Sequence, residues 1–350
     1  MYGLSLVLTG CRSIGPGTVA RDRYDYSSSL GESWKRQTLL NIVKLRYLDP
    51  PIFVDVGQIV SGYTLQTGVG VSGTLSSDRA VQGDFLSANG QAVYTDRPTI
   101  TYTPLTGNKF IKGLMTPLTP DSVFFTIQSG WPADGVLFAT VSEINGLKNQ
   151  GTSINGVTPP DPRFMRVLQL MREIQLSGAV AMRIKQDKDS QQTTLLTFRS
   201  KDISPEVLDD IHELRQLLGL DPDAGEIKLV FGSGAANDRE VAMITRSMMQ
   251  LMATMSTQVE VPAEDLAQGR ATPGWETVTN SARSPRMIQI HSSKVSPKDA
   301  FAAIPYRGNW FWMDDRDLKS KRTFSFMMLL FTLADTGEKE PLPLVTIPAQ

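Results

Sequence analysis

Few residues in this 350-residue chain are equipped for acid–base, nucleophilic or metal chemistry. There are two histidines, His212 and His291, and one cysteine, Cys11. Acyl-transfer triads and most zinc sites lean on histidine. His212 falls beside the apolar stripe of a Leu-rich helix, and His291 ends a strand just before Ser292 and Ser293. A serine one or two residues from a histidine is not in itself a catalytic arrangement, and no G-x-S-x-G or H-E-x-x-H run is present. Gly68-Val69-Gly70-Val71-Ser72-Gly73 matches G-x-G-x-x-G, which needs a helix after it to face a pyrophosphate. Thr74 to Asp84 has no helical apolar face, so these glycines read as a Gly-rich strand or loop. Met243, Met248, Met249, Met252 and Met255 could offer thioethers to copper(I), but with no histidine or cysteine among them they read as adaptable core. Asp314, Asp315 and Asp317 could hold a hard cation, and they fit the capping of a following helix better. Trp310 and Trp312 share a face if 310–313 is a strand; with Arg316 they form a candidate partner surface. No cofactor, no metal and no catalytic residue is expected from these patterns.

The lone cysteine has a different context. Leu8-Thr9-Gly10-Cys11 resembles the lipobox of bacterial lipoproteins, an aliphatic residue and two small ones before the cysteine. Small residues there admit an extended backbone to a peptidase, and the thiolate takes the diacylglycerol group. The resemblance implies that Cys11 becomes the lipidated first residue. More than one acyl chain makes such an anchor firm, each buried CH₂ contributing about 0.8 kcal/mol. A signal segment normally has about 15–30 residues and a basic start. Only ten residues precede Cys11 and none is Lys or Arg, so the true start is expected upstream of Met1. Arg12, rather than Asp, follows the cysteine, which by the same resemblance implies the outer membrane, facing the periplasm.

Three further stretches, GPGTVARDRYDY (15–26), PTITYTPLTGNKF (98–110) and YRGNWFWMDDRDLKSKRTFSFMMLLFTLADTG (306–337), resemble an uncharacterised family of bacterial lipoproteins. That likeness strengthens the address and brings no activity, cofactor or catalytic residue with it.

The bulk numbers describe a globular chain. Hydrophobic residues make up 41% and charged residues 20%, and 35 basic against 36 acidic side chains leave a net charge of −1. That balance lacks the basic excess of nucleic-acid binders, so no nucleic-acid partner is expected. The most apolar run, Phe324 to Ala334, has eleven residues where a spanning helix needs about 20.

The elements that must position these residues follow from periodicity. The pattern predicts an α+β chain: a β-rich and helical N-terminal half, and a C-terminal half of mixed strands with packed helices. Residues 1–10 read as a truncated signal segment and 11–27 as the lipidated cysteine with a flexible linker. Residues 28–158 read as a mixed β/α domain and 159–350 as an α+β domain. Residues 28–48 have a helical apolar face, ended by Pro50-Pro51. Tyr63 to Leu75 and Gln91 to Tyr102 alternate as strands, with Asn89-Gly90 expected as a turn and 72–92 as a loop. Residues 120–148 read as helical in two stretches, and 149–160 as the interdomain linker. Asp161-Pro162 and Ser204-Pro205 open helices that Gly178 and Gly219 close.

The expected function is a lipid-anchored envelope component that binds or assembles, without recognisable catalysis. Its partners would be the membrane, through acyl chains on Cys11, and an envelope protein. Two alternatives stay open at this point. One is an envelope hydrolase acting on peptidoglycan or lipid through His291 or the 314–317 acids. The other is a cytosolic protein binding a nucleotide at Gly68 to Gly73.

Overall fold

The computed structural model of the chain describes residues 18–60, 62–74, 85–153, 156–186, 192–199, 203–275 and 286–334. The fold is α+β and divides into two compact units: Met1–Ser33 with Phe53–Leu105, and Trp34–Ile52 with Thr106–Gln350. Cys11 and residues 12–17 lie outside the described residues. The first helix, α1 (Val19–Arg46), is longer than expected and takes in residues 19–27 of the anticipated linker. That segment lacks Gly and Pro, and neither Arg21–Asp22 nor its other exposed polar residues oppose a helix.

The first unit is a β ribbon and the opening turns of α1. Its strands are β1 (Phe53–Val60), β2 (Tyr63–Thr74), β3 (Phe85–Asp96) and β4 (Thr99–Leu105). β1 pairs antiparallel with β4, and β2 with β3. The Arg97 amide donates to the Gly62 carbonyl at 3.0 Å, joining the two ladders. Asn89-Gly90, expected as a turn, sits inside β3 opposite Gly70 and Val69. A two-residue turn signal yields here to cross-strand pairing along the whole ribbon.

The second unit holds the main core. Its larger sheet has the order β6-β5-β12-β11-β10-β9, from β5 (Val141–Ile144), β6 (Leu147–Lys148), β9 (Val180–Gln186), β10 (Gln192–Phe198), β11 (Glu226–Phe231) and β12 (Glu240–Thr245). Only β11 and β12 run parallel; the other pairs are antiparallel. Helices α3 (Pro120–Gln128), α4 (Ala133–Thr140), α5 (Pro162–Leu176) and α6 (Pro205–Leu218) cover it. Helix α2 (Asn108–Met115), the paired β7 (Gly151–Ser153) and β8 (Gly156–Thr158), and the short α8 (Ala263–Ala267) belong to the same unit. Phe124, Val167, Met171 and Leu214 meet Leu196, Ile227 and Met243 around a small apolar space. A second sheet, β13-β15-β14, is built from β13 (His291–Ser293), β14 (Ala300–Tyr306) and β15 (Asn309–Asp314). Helix α7 (Met248–Ser256) packs with α9 (Leu318–Ala334). Met243, Met248, Met252 and Met255 are all buried. No described helix is long and apolar enough to cross a membrane.

The expected boundary at 149–160 is not where the chain divides. Residues 106–158 belong to the same unit as 159–350, because Ile144 of β5 pairs with Met243 of β12. The polar composition that suggested a linker serves buried turns instead. Asn149 donates to the carbonyls of Phe138 (2.8 Å) and Val141 (2.6 Å). Arg246, buried, donates to the carbonyls of Phe138, Ala139 and Gln150 at 2.8–2.9 Å. Burial lowers its pKa to about 10, and it is charged at neutral pH. The helix expected over 134–148 stops at Thr140 for the same reason: β12 supplies a ladder that Val141 to Ile144 joins.

Candidate functional site: a cationic cleft with an apolar floor

A cleft of about 860 Å³ opens in the second unit between α4, α5, the chain at Arg286–Met287 and the first turns of α9. That volume suits a small-molecule or peptide-segment ligand, for which sites run from roughly 300 to 1,000 Å³.

Its walls are positioned by local sequence. Asp161 caps α5, accepting from the Arg163 amide at 2.8 Å, with Pro162 at the first helical position. One face of α5 is buried through Phe164, Val167, Leu168, Met171 and Ile174, so Met165, Gln169 and Arg172 turn to the cleft. Gln175, at the far end of α5, holds the opposite wall. Its amide nitrogen donates to the carbonyls of Ile127 (2.9 Å) and Trp131 (2.8 Å), and its oxygen accepts from the Ala133 amide (2.9 Å). Trp131 meets the ring of Phe326 at 4.9 Å. With Phe138, Met165 and Met287, these side chains make the floor apolar.

The rim is cationic. Arg166, Arg172, Arg286, Lys319 and Arg322 line the cleft, against Asp134 and Glu173. Arg166 is committed to Glu213 through two bonds of 2.8 and 2.6 Å. Arg172 donates to Gln175 at 2.7 Å and lies 4.0 Å from Asp134. Arg286 lies over the Trp275 ring at 5.6 Å. Among the described residues Arg286, Lys319 and Arg322 have no carboxylate partner. Lys319 and Arg322 stand at the N-terminal end of α9, where the helix dipole favours acids, so helix stability does not account for them. Unmatched cations above an apolar floor suit a ligand with an anionic head and an apolar body.

The residues singled out by sequence are placed elsewhere. Trp310 and Trp312 do share a face of β15, half-buried, with Phe311 and Met313 buried on the other. Trp312 packs on His291 at 4.8 Å, and the His291 imidazole bonds Glu260 at 3.0 Å. Arg316 is tied to Asp314 at 3.1 Å, and that bond holds the Asp314 carboxyl below its ordinary pKa. Asp317 accepts from the Ser320 amide (3.0 Å) and hydroxyl (2.5 Å), an N-cap for α9. Asp315 pairs with Lys321 at 2.6 Å. The three acids are thus separately engaged. No three His, Cys, Asp or Glu side chains gather as metal ligands among the described residues. His212 is exposed on α6. Gly68 to Gly73 lie within β2, in a ladder with Leu86 to Gln91. Lipid attachment at Cys11 lies outside the described residues.

Sequence reading missed Trp131, Gln175, Arg286, Lys319 and Arg322. The one local signal was a pair of cations at the start of a helix; their convergence with Arg286 exists only in the tertiary structure.

No protein-family model matches the chain, no curated protein is similar to it, and no solved structure matches its fold.

Proposed function

We propose that this chain is a lipid-anchored component of the bacterial envelope, held at the outer membrane by acyl chains on Cys11, and that its second unit works by binding. The address rests on Leu8-Thr9-Gly10-Cys11. The binding role rests on one observation: Arg286, Lys319 and Arg322, cations without carboxylate partners among the described residues, ring an apolar cleft of about 860 Å³. The ligand that fits is an amphipathic anion, its acyl or aromatic body against Trp131 and Phe326 and its head among the cations. An envelope protein partner could present the same chemistry as an acidic, apolar segment.

Membrane fractionation of the protein expressed from its full reading frame, beside Cys11→Ser, tests the address. The wild type is expected with the outer membrane, and the variant released or unprocessed. Both proteins soluble in the cytoplasm would overturn the reading.

A further inference from the structure

The first unit carries a surface that the cleft does not explain. We infer that the β2–β3 ribbon is a membrane-spanning stave, and that several copies of this chain set their ribbons edge to edge and close an antiparallel β-barrel through a lipid bilayer.

Four observations carry this. The first is the division of the ribbon into two faces. Directly paired residues share a face. The pairs Thr67–Ala92, Val69–Gly90, Val71–Ala88 and Gly73–Leu86 make one face free of strongly polar groups. The alternate pairs Thr64–Thr95, Gly68–Gln91, Gly70–Asn89 and Ser72–Ser87 make the other polar, interrupted by Val93 opposite Gln66. Val69 is 83% exposed and Leu86 78%, so the middle of the apolar face is uncovered within its unit, while at one end the Tyr63 hydroxyl donates to Asp22 of α1 at 2.6 Å. Apolar-out, polar-in alternation is the pattern of a barrel between lipid and a wet lumen.

The second is the distribution of charge. Residues 63–74 and 85–95 contain no Asp, Glu, Lys or Arg, while Asp96 and Arg97 stand at one end and Asp78, Arg79 and Asp84 fall in the sequence between the strands. A charge-free band bounded by charge at both ends matches a hydrocarbon layer between two aqueous phases.

The third is length. Each strand has twelve residues. At about 3.3 Å per residue and a tilt of about 40°, that spans roughly 30 Å, the thickness of a bilayer core. Tyr63 and Tyr94 stack at the charged end, ring centroids 6.2 Å apart, where a barrel carries its aromatic girdle.

The fourth is the pair of open edges. β2 and β3 form a two-stranded sheet, so the outer N–H and C=O rows of both strands have no strand beside them among the described residues. A two-stranded ribbon is marginal in water, and in lipid an open edge is not tolerated. Each copy supplies two strands. Closing even a small barrel of about eight strands takes at least about four copies, and the strand number is then even. The inference does not depend on Cys11 or on the cleft.

The test uses the full chain with Cys11→Ser as labelling background, since Cys11 is its one cysteine. Single cysteines are placed at successive positions from 66 to 72 and carry an environment-sensitive dye. The protein is reconstituted from detergent into vesicles of phosphatidylethanolamine and phosphatidylglycerol. Quenching by spin-labelled lipid is expected at 67, 69 and 71, and quenching by aqueous iodide at 66, 68, 70 and 72. Chemical cross-linking is expected to give a closed oligomer of at least about four copies. In the unlabelled chain, Val69→Arg should lower the inserted fraction by about thirtyfold or more, while Ser72→Arg, on the lumen face, should insert normally. Circular dichroism melting of the second unit reports whether each variant is folded. Iodide access at every position, lipid contact without a two-residue period, or a monomer in the vesicles would each overturn the proposal. A pattern protected from both quenchers would overturn it too, and would assign the apolar face to a protein partner.

Discussion

The side-chain amide of Gln175 donates to the carbonyl of Trp131 at 2.8 Å, tying the end of one helix to the loop that shapes the cleft floor 44 residues earlier. The same amide group also bonds Ile127 and Ala133, so one polar side chain satisfies three backbone groups at the junction of α3 and α4. Replacing Gln175 with Leu keeps the volume and removes this partner from the Trp131 carbonyl and the Ala133 amide, while the Ile127 carbonyl keeps the Gly130 amide at 3.1 Å. Stability should fall by about 2 kcal/mol, read as a lower denaturant midpoint with an unchanged slope. Trp131 fluorescence should shift to longer wavelength as the loop loosens. A variant as stable as the wild type would show that water replaces the amide without cost.

The rim cations should act on binding and not on folding. Lys319→Gln with Arg322→Gln removes two exposed charges that no carboxylate among the described residues matches. Thermal stability should stay within about 0.5 kcal/mol of the parent. Dodecyl phosphate, titrated calorimetrically below its micellar concentration, should bind the wild type and bind this variant roughly tenfold more weakly, with a shallower salt dependence. Gly135→Leu offers an independent block. Gly135 lies in α4 on the cleft wall, and a Cβ there meets nothing within 4 Å. The leucine should fill the cleft and abolish binding while the helix gains stability. Equal binding by dodecyl maltoside, which has the chain without the charge, would count against the role of the cations.

A second cluster sets an acid limit. Asp49 accepts from the phenol of Tyr306 and, at 3.0 Å, from Arg307. The Tyr306 bond first, then the Arg307 bond, lowers the Asp49 pKa in the folded chain. A lowered carboxylate pKa adds stability that is fully present above the unfolded value of about 4 and is lost as pH falls through the folded value. The stability gap between wild type and Asp49→Asn should therefore be constant near neutral pH and shrink below about pH 4. Tyr306→Phe removes the largest cause of the shift and should narrow that gap. Denaturation midpoints measured from pH 7 to pH 2.5 check both; a gap that widens in acid would contradict the assignment.

Much of the fold is legible in the chain because it is locally encoded. The Asp161-Pro162 and Ser204-Pro205 starts open α5 and α6, and Gly219 ends α6 in the left-handed conformation its φ of 65° requires. Strands 180–186 and 192–198 pair as a hairpin, Gln186 facing Gln192. Alternation from Tyr63 onward marks β2, and the adaptable core of methionines is buried around Met243 and Met252.

Other features depend on partners distant in sequence. Val136, Leu137, Val141 and Ile144 fit a helical period over their whole length, and only β12, a hundred residues later, turns the last two into a strand. Asn149 and Gln150 have linker composition, and only Arg246 makes them a buried turn. The cleft depends on α5 and the start of α9 meeting, so Lys319 and Arg322 could be noticed along the chain but not assigned a place. The sequence by itself determined where helices start and stop, which faces are apolar, and the lipobox-like run at Cys11, because caps, periods and motifs act within a few residues. Tertiary structure decided which polar groups are buried against a partner, which cations stay unmatched and where the units divide, because those depend on distances that no local pattern records.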